Sequence, residues 1–408
     1  MGGRVLTQRR RGAECAKKAW PVVRIGDVGT ITRGSGIKRS ETVERGRPCL
    51  RYGEIYTSFN VILDKPKSFV PQEVFDRSVH IKHGDLVFTL TGENTEEIAK
   101  TLAYLGDEEI AAGGDLAVWA NHGYDPMYLA YLMYSPALIK AKADASNGQI
   151  IVHASVRKIQ DIQIPIPPLS VQREIVARLE KELGEADALA AKFKEIAENA
   201  DAEFKAELDE TFKNDEGEKV RLGDVCEIER GRSKTRPRNS PELFGGPYPF
   251  VQTGDVKKAN GGTIISYTQT YSEKGLRQSR LWKKGTLCVT IAANIGEAAL
   301  LGFDACFPDS VVGITSKGTL SLDFLNYYFY ATKSKLFEVA PGTAQKNFNV
   351  ERLSHVEIVM PKMEQQHEAI TKLHMVKAKC EKLKAAAERG LRAAEDLRKA
   401  ILAEAFEQ

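Results

Sequence analysis

Residues 164–176 read IPIPPLSVQREIV, and residues 358–370 read IVMPKMEQQHEAI. Each is a short apolar run halted by proline and followed by the start of a helix-forming segment. The two phrases lie 194 residues apart, so an internal repeat is the first thing to look for. Working outward from them, VRIGDVGTITRG (23–34) answers VRLGDVCEIERG (220–231) at an offset of 197. GDLVFT (84–89) answers GTLCVT (285–290) at 201, and GDLAV (114–118) answers DSVVG (309–313) at 195. DPMYLAYLMYS (125–135) answers SLDFLNYYFYA (321–331) at 196. Offsets that drift by a few residues mark one ancestral unit with loop insertions. The copies run over 20–211 and 217–406.

Both copies share a grammar. Short alternating runs such as Asp85–Thr89, bounded by Gly and Asn, predict strands. A short helix follows, with Asp125 as N-cap and Pro126 at its first position, and with Ser321 as the cap in the second copy. Ile162, Ile164 and Ile166 then alternate as a strand, Pro167-Pro168 ends it, and Ser170 is placed to cap a long helix. In that helix Val176, Leu179, Leu183, Ala186, Ala190, Phe193, Ala197, Ala200 and Phe204 alternate steps of three and four, the spacing of a coiled-coil seam. The second copy repeats it at Leu373, Val376, Cys380, Leu383, Ala387, Gly390, Ala394, Leu397 and Ile401. Seam residues this small predict a close approach of helices. Two helices of about 57 Å, joined by a linker reaching at most about 32 Å, must pair antiparallel. The expected architecture is therefore a dumbbell with a pseudo-twofold axis: two tandem α/β (α+β) heads separated by a long antiparallel two-helix coiled coil. The segments are a basic arm (1–19), a first head (20–168), a central helix (169–211), a second head (212–362) and a C-terminal helix (363–408).

Composition excludes several classes. At 408 residues, with 42% hydrophobic and 28% charged side chains, the chain has the makeup of a soluble protein with more than one core. No apolar run is long enough to span a membrane, and the start of the chain lacks a signal-peptide core, so a cytoplasmic location is expected. Six scattered cysteines, none in CxxC spacing, argue against zinc and disulfides, and no metal site is expected. Net charge is only +3, but it is uneven. ERGRSKTRPRN (229–239) and the arm, with Arg9, Arg10, Arg11, Lys17 and Lys18, are local basic stretches suited to phosphate. Two related heads on a spacer fit a two-part DNA target with half-sites on one face of the duplex. Tethered protein-binding modules would share that outline.

The order head, helix, head, helix resembles the specificity subunit of type I restriction–modification systems over nearly the whole chain. The residues that carry the likeness are IPIPPLSVQREIVARL, IVMPKMEQQHEAITKL, VRLGDV, and GTAQKNFNVERL (342–353). The first copy departs from this pattern with SNGQIIVHASVRKI (146–159), and the second with Pro361-Lys362 in place of the double proline. The resemblance implies two target-recognition domains, each reading half of a bipartite double-stranded DNA site, with the helix pair fixing the gap. It implies a non-catalytic chain docked to two methyltransferase subunits, with restriction/translocase subunits as further partners. It places S-adenosylmethionine and ATP on those partners and no cofactor on this chain.

The enzyme alternative, a stand-alone DNA adenine methyltransferase, needs a glycine-rich cofactor loop and a D/N-P-P-Y/F clasp for a flipped adenine. Asp125-Pro126-Met127-Tyr128 lacks the second proline, and Gly34-Ser35-Gly36 is too short for a nucleotide loop. A two-headed protein-interaction adaptor is the other alternative. Candidate DNA-contacting residues are the polar and basic side chains of head turns. They are Arg33, Lys38 and Arg39 in the first copy, and Arg230, Arg232, Lys234, Arg236, Gln345, Lys346 and Asn347 in the second. Arg suits guanine edges and Gln or Asn suits adenine.

Overall fold

The computed structural model describes residues 20–92, 94, 97–148, 152–213, 217–234, 237–292, 294–337 and 349–407. The chain folds into two compact units, one from Met1–Phe193 with Arg389–Gln408 and one from Lys194–Glu388.

Each unit is built on a five-stranded sheet, and the strand order is the same in both. In unit 1 it runs Thr30–Arg33, Leu116–Ala120, Leu86–Thr89, Thr101–Tyr104, Ile62–Leu63. In unit 2 it runs Cys226–Arg230, Val311–Ser316, Leu287–Thr290, Ala298–Leu301, Thr263–Ile264. Neighbours are antiparallel except the last pair, which is parallel in both units. The run read as alternating at 85–89 forms the strand Leu86–Thr89, yet all four of its residues are buried. Leu86 and Phe88 join a core with Trp119 and Tyr128, while Val87 joins another with Leu50 and Leu102, so both faces of the sheet are covered.

The repeated phrases occupy one junction in each unit. Val22–Arg24 pairs antiparallel with Gln163–Pro165, as Glu218–Arg221 does with Glu357–Met360. The next residue, Ile25 or Leu222, is fully buried. Gly26 and Gly223 follow because a β-carbon there would lie 2.9 Å from the β-carbon of Gln160 or Ser354. The opening phrases share one inconspicuous internal residue, Gln172 or Gln366. Gln172 is buried; its Oε1 accepts from the Asp125 backbone N–H at 2.9 Å and its Nε2 donates to the Pro167 carbonyl at 2.8 Å. Gln366 does the same to the Ser321 N–H (2.8 Å) and the Pro361 carbonyl (2.8 Å). One amide therefore ties the strand exit, the long helix and the start of the preceding helix together, giving a partner to one backbone N–H and one backbone carbonyl.

Asp125 caps its helix, accepting from the N–H groups of Met127 and Tyr128 at 3.0 Å. In unit 1 that helix, Pro126–Leu132, breaks before a second, Pro136–Asp144; in unit 2 a single helix runs Leu322–Phe337. Proline at 136 accounts for the break.

The long helices span Leu169–Thr211 and Met363–Phe406. The first begins at Leu169, straight after the double proline, so Ser170 lies inside it and is not its cap. The pairing is antiparallel in each unit. Arg398 pairs with Asp187 in unit 1, and Lys384 with Asp201, Lys379 with Glu203 and Lys372 with Glu207 in unit 2. All nine expected seam positions of the first helix are buried or partly buried. The second helix differs: Leu383 and Leu397 stay 36% and 44% exposed. Beside Cys380, Ala387 and Ala394 the covered places go instead to Lys384, Leu391 and Arg398, one residue later. The methylene stems of Lys384 and Arg398 lie along the seam while their charges reach a carboxylate on the first helix. Gly390 remains at the contact, covered by the Phe193 ring. No helix among the described residues is long and apolar enough to cross a membrane.

Candidate nucleic-acid interface

In both units the candidate loop leaves the sheet by the same device. Arg33 ends one edge strand and its Nε donates to the Gly114 carbonyl at 3.0 Å. Arg230 ends the other, and its Nε donates to the Asp309 carbonyl. Gly34 and Gly231 come next, each with backbone oxygen where a β-carbon would stand. These two arginines thus hold the loop onto the start of the neighbouring strand, and part of each guanidinium is committed inside the protein.

Beyond that tie the loops differ. In unit 1 Lys38 and Arg39 are exposed at the single turn Arg39–Glu41. The Lys38 backbone N–H donates to the Glu41 carboxylate at 2.7 Å, and Arg77 pairs with the same group. That backbone hydrogen bond, then the Arg77 charge, hold Glu41 below the usual carboxylate range. In unit 2 Arg232 and Lys234 are exposed, and Arg238 pairs with the Asp309 carboxylate at 2.6 Å. Arg236, Gln345, Lys346 and Asn347 lie outside the described residues, as does the basic arm.

The unit 2 loop borders a cleft of about 420 Å³ that no motif announced. Phe244, Phe250, Tyr271 and Pro308 form its apolar walls, and Ser233, Arg238, Asn239, Gln252, Gln269 and Ser310 supply polar groups. The Phe250 and Tyr271 rings stack 4.0 Å apart. Burial pushes the Tyr271 phenol up, while hydrogen bonds to Ser233 and Gln278 act the other way. At the mouth Gln252 Nε2 donates to Gln269 Oε1 at 2.7 Å. A sequence signal for Gln252 did exist: LRYGEI (50–55) and VQTGDV (251–256) form a further repeated phrase, with Arg51 in the matching place.

Unit 1 has a cleft of another kind, about 270 Å³, lined by Lys100, Lys142, Tyr131, Tyr134, Glu97 and Arg398 among others. Lys142 is 2% exposed; its Nζ donates to the Ala99 carbonyl at 3.2 Å and lies 5.4 Å from the Tyr134 ring centre. Burial pushes its ammonium down to about 7. Lys100 is pushed down too, by burial, and donates to the Phe59 carbonyl at 2.7 Å. In unit 2 the residue matching Lys100 is Glu297: Thr89 Oγ1 takes the Lys100 N–H at 3.0 Å and Thr290 Oγ1 takes the Glu297 N–H at 3.1 Å. Glu297 pairs with Lys333 at 2.7 Å.

The Asp125-Pro126-Met127-Tyr128 stretch has no room to clasp a base. Its aspartate is spent on the helix cap, and Tyr128 is fully buried with its hydroxyl donating to the Pro165 carbonyl at 2.9 Å. Among the described residues no group of three His, Cys, Asp or Glu side chains is placed to hold a metal ion.

The model of the type I restriction modification DNA specificity domain matches twice, over residues 17–196 and 214–389. The chain belongs to the type I restriction–modification DNA specificity family. A Haemophilus influenzae protein named as a type I restriction enzyme specificity subunit is 30% identical over 233 residues. That match spans 52% of this chain and only about half, 55%, of the relative. Among solved structures, a chain from a type I R-M system studied for complex assembly and conformational transition superposes with a TM-score of 0.74 at 20% identity, covering 95% of this chain and 98% of that one. The HsdS subunit from Thermoanaerobacter tengcongensis superposes with a TM-score of 0.57 at 19% identity, over 96% and 97% of the two chains. At those identities the likeness is one of fold. Two family domains, each with the same sheet order, account for the repeated phrases.

Proposed function

We propose that this chain is the non-catalytic DNA-recognition subunit of a type I restriction–modification complex, with each unit reading one half of a bipartite double-stranded target. The observation that carries the reading is a family domain present twice on one backbone frame, with different polar side chains at matching surface places: Arg51 and Ser68 in unit 1, Gln252 and Gln269 in unit 2. A repeated reader with altered reading groups suits two unlike half-sites joined by a fixed gap.

The helix pair sets that gap and receives two methyltransferase subunits. In support, Leu189 on the first helix and Leu383 on the second, 194 residues apart like the opening phrases, are both left exposed. S-adenosylmethionine and ATP belong to the methyltransferase and the restriction/translocase subunits. Arg232 and Lys234 contact phosphate.

The deciding experiment is methylome sequencing of cells carrying this chain with its methyltransferase partner. It should return one motif with two short defined parts and a gap of constant length. An undivided motif, or no methylation, overturns the reading. Arg232→Ala with Lys234→Ala should weaken DNA binding by the assembled complex and flatten its salt dependence by about one unit per lost phosphate contact.

A further inference from the structure

We infer that Gln252 and Gln269 of unit 2 form a built reading site for one adenine in the half-site that this unit recognises; the inference rests on the DNA-recognition role proposed above.

The chemistry follows from one hydrogen bond. Gln252 Nε2 donates to Gln269 Oε1 at 2.7 Å, so each amide spends one end on the other. What remains wholly unused by that bond is the carbonyl end of Gln252 and the NH2 end of Gln269; the second N–H of Gln252 and the second lone pair of Gln269 Oε1 lie at the shared contact. Exchanging the nitrogen and oxygen of both amides reverses which residue offers which, yet still leaves one of each. An acceptor beside a donor is the complement of the adenine major-groove edge, which offers the N6 amino group and the N7 lone pair. Guanine offers two acceptors there and calls for two donors, which is the task of an arginine. The arginine of this cleft, Arg238, is held by the Asp309 carboxylate at 2.6 Å. The mutual bond also holds the two long side chains in place before any base arrives, which lowers the ordering cost of recognition.

Placement supports the chemistry. Gln269 is exposed and Gln252 half-buried, and both line a cleft that is also lined by Ser233, which sits between the exposed Arg232 and Lys234 of the basic loop. Phosphate-binding cations beside a base-reading amide pair is the usual division of labour, the cations setting position and the amides setting sequence. The two glutamines are also fixed by the sheet. Gln269 is directly opposite Phe250 in the strand pair, and Gln252 follows Phe250 by two residues at the start of the helix Thr253–Lys258. At the matching places unit 1 has Ser68, opposite Cys49, and Arg51, which cannot make the same acceptor–donor pair. The site is therefore specific to one half of the target.

The test is the methylome of cells carrying the assembled complex with Gln252→Met or Gln269→Met, set against wild type. The expected result is that one adenine position, in one half of the motif, loses discrimination by about 10- to 100-fold. The other half and the gap should stay as they are. An unchanged motif overturns the inference, as does relaxation at a guanine or cytosine or in both halves. Each variant is checked by thermal unfolding; if the half-buried Gln252 variant unfolds, the exposed Gln269 variant decides alone. Failure of the functional reading looks different, since the wild-type complex would then give no divided motif at all.

Discussion

Units 1 and 2 place the same strands in the same order, yet the side chains at matching positions outside that frame have changed charge and kind. Lys100 stands where unit 2 has Glu297, and Arg51 where it has Gln252. What persists is small: Ile25 or Leu222, the glycine after it, and the glutamine in the first turn of each long helix, Gln172 or Gln366. These groups satisfy backbone polarity and close packing that any chain in this fold must satisfy. Of what changed, Lys100 lines a cleft, Glu297 pairs with Lys333, and Arg51 and Gln252 are half-buried. The comparison separates what builds a head from what a head is for.

The strongest way to break the shared part is at the glutamines. Gln172→Leu should destabilise unit 1, and Gln366→Leu unit 2, each by about 2–5 kcal/mol, because each strands a buried N–H and a buried carbonyl. Urea denaturation followed with a probe in each unit should show loss confined to the unit that carries the change. Equal loss in both units would mean that the amide is not a local tie.

Lys142 sharpens the difference. Its ammonium titrates near 7 when folded against 10.5 ordinarily. Between those values the unfolded chain holds a proton that the folded unit does not, so stability should rise with pH across the window. The slope is at most about 1.4 kcal/mol per pH unit. Below pH 7 both states are protonated and the burial penalty is present in full. Lys142→Met should remove this rise, and it should raise stability most at pH 6. Lys100, Glu97 and Arg398 line the same cleft and are kept in the comparison. Parallel pH profiles of variant and wild type would show that Lys142 is not the source.

The long helices each contain one glycine that separates them more finely. A β-carbon on Gly390 would lie 2.4 Å from the Phe193 ring, whereas one on Gly184 meets nothing within 4 Å. Gly390→Ala should cost about 1–3 kcal/mol through overpacking. Gly184→Ala should gain about 0.5–1 kcal/mol of helix propensity. Thermal unfolding reads both, and a shift of the same sign in the two variants would count against this account of the seam.

Most of the frame was legible because it is written in spacing. The antiparallel helix pair followed from seven-residue periodicity and a short linker, and the heads from repeated phrases. The second seam was misread at Leu383 and Leu397 because hydropathy treats lysine and arginine as purely polar. In the folded chain Lys384 and Arg398 cover the contact with their stems and reach Asp201 and Asp187 with their charges. Ser170 was misread because a capping residue type does not act as a cap once prolines have already set the first turn. The sites were less legible still. Arg33 and Arg230 look like free cations in sequence, and only the fold shows them bonded to Gly114 and Asp309. Gln252 and Gln269 stand 17 residues apart and meet only through strand pairing, which no local pattern announces.

Because the helices pair antiparallel, the core of unit 1 is closed by residues from the far end of the chain. Ala405 is buried there, Phe406 meets the Tyr128 ring edge-on at 5.7 Å, and Ile401 and Leu402 pack beside it. Unit 2, by contrast, is one uninterrupted stretch. During synthesis on the ribosome the second unit therefore has all its parts first. The first, though made earlier, must wait with Leu179 and Leu183 uncovered until the last turns of the second helix emerge. The unit begun first is the unit finished last, and every growing chain passes through a stage in which its older half is the less complete one.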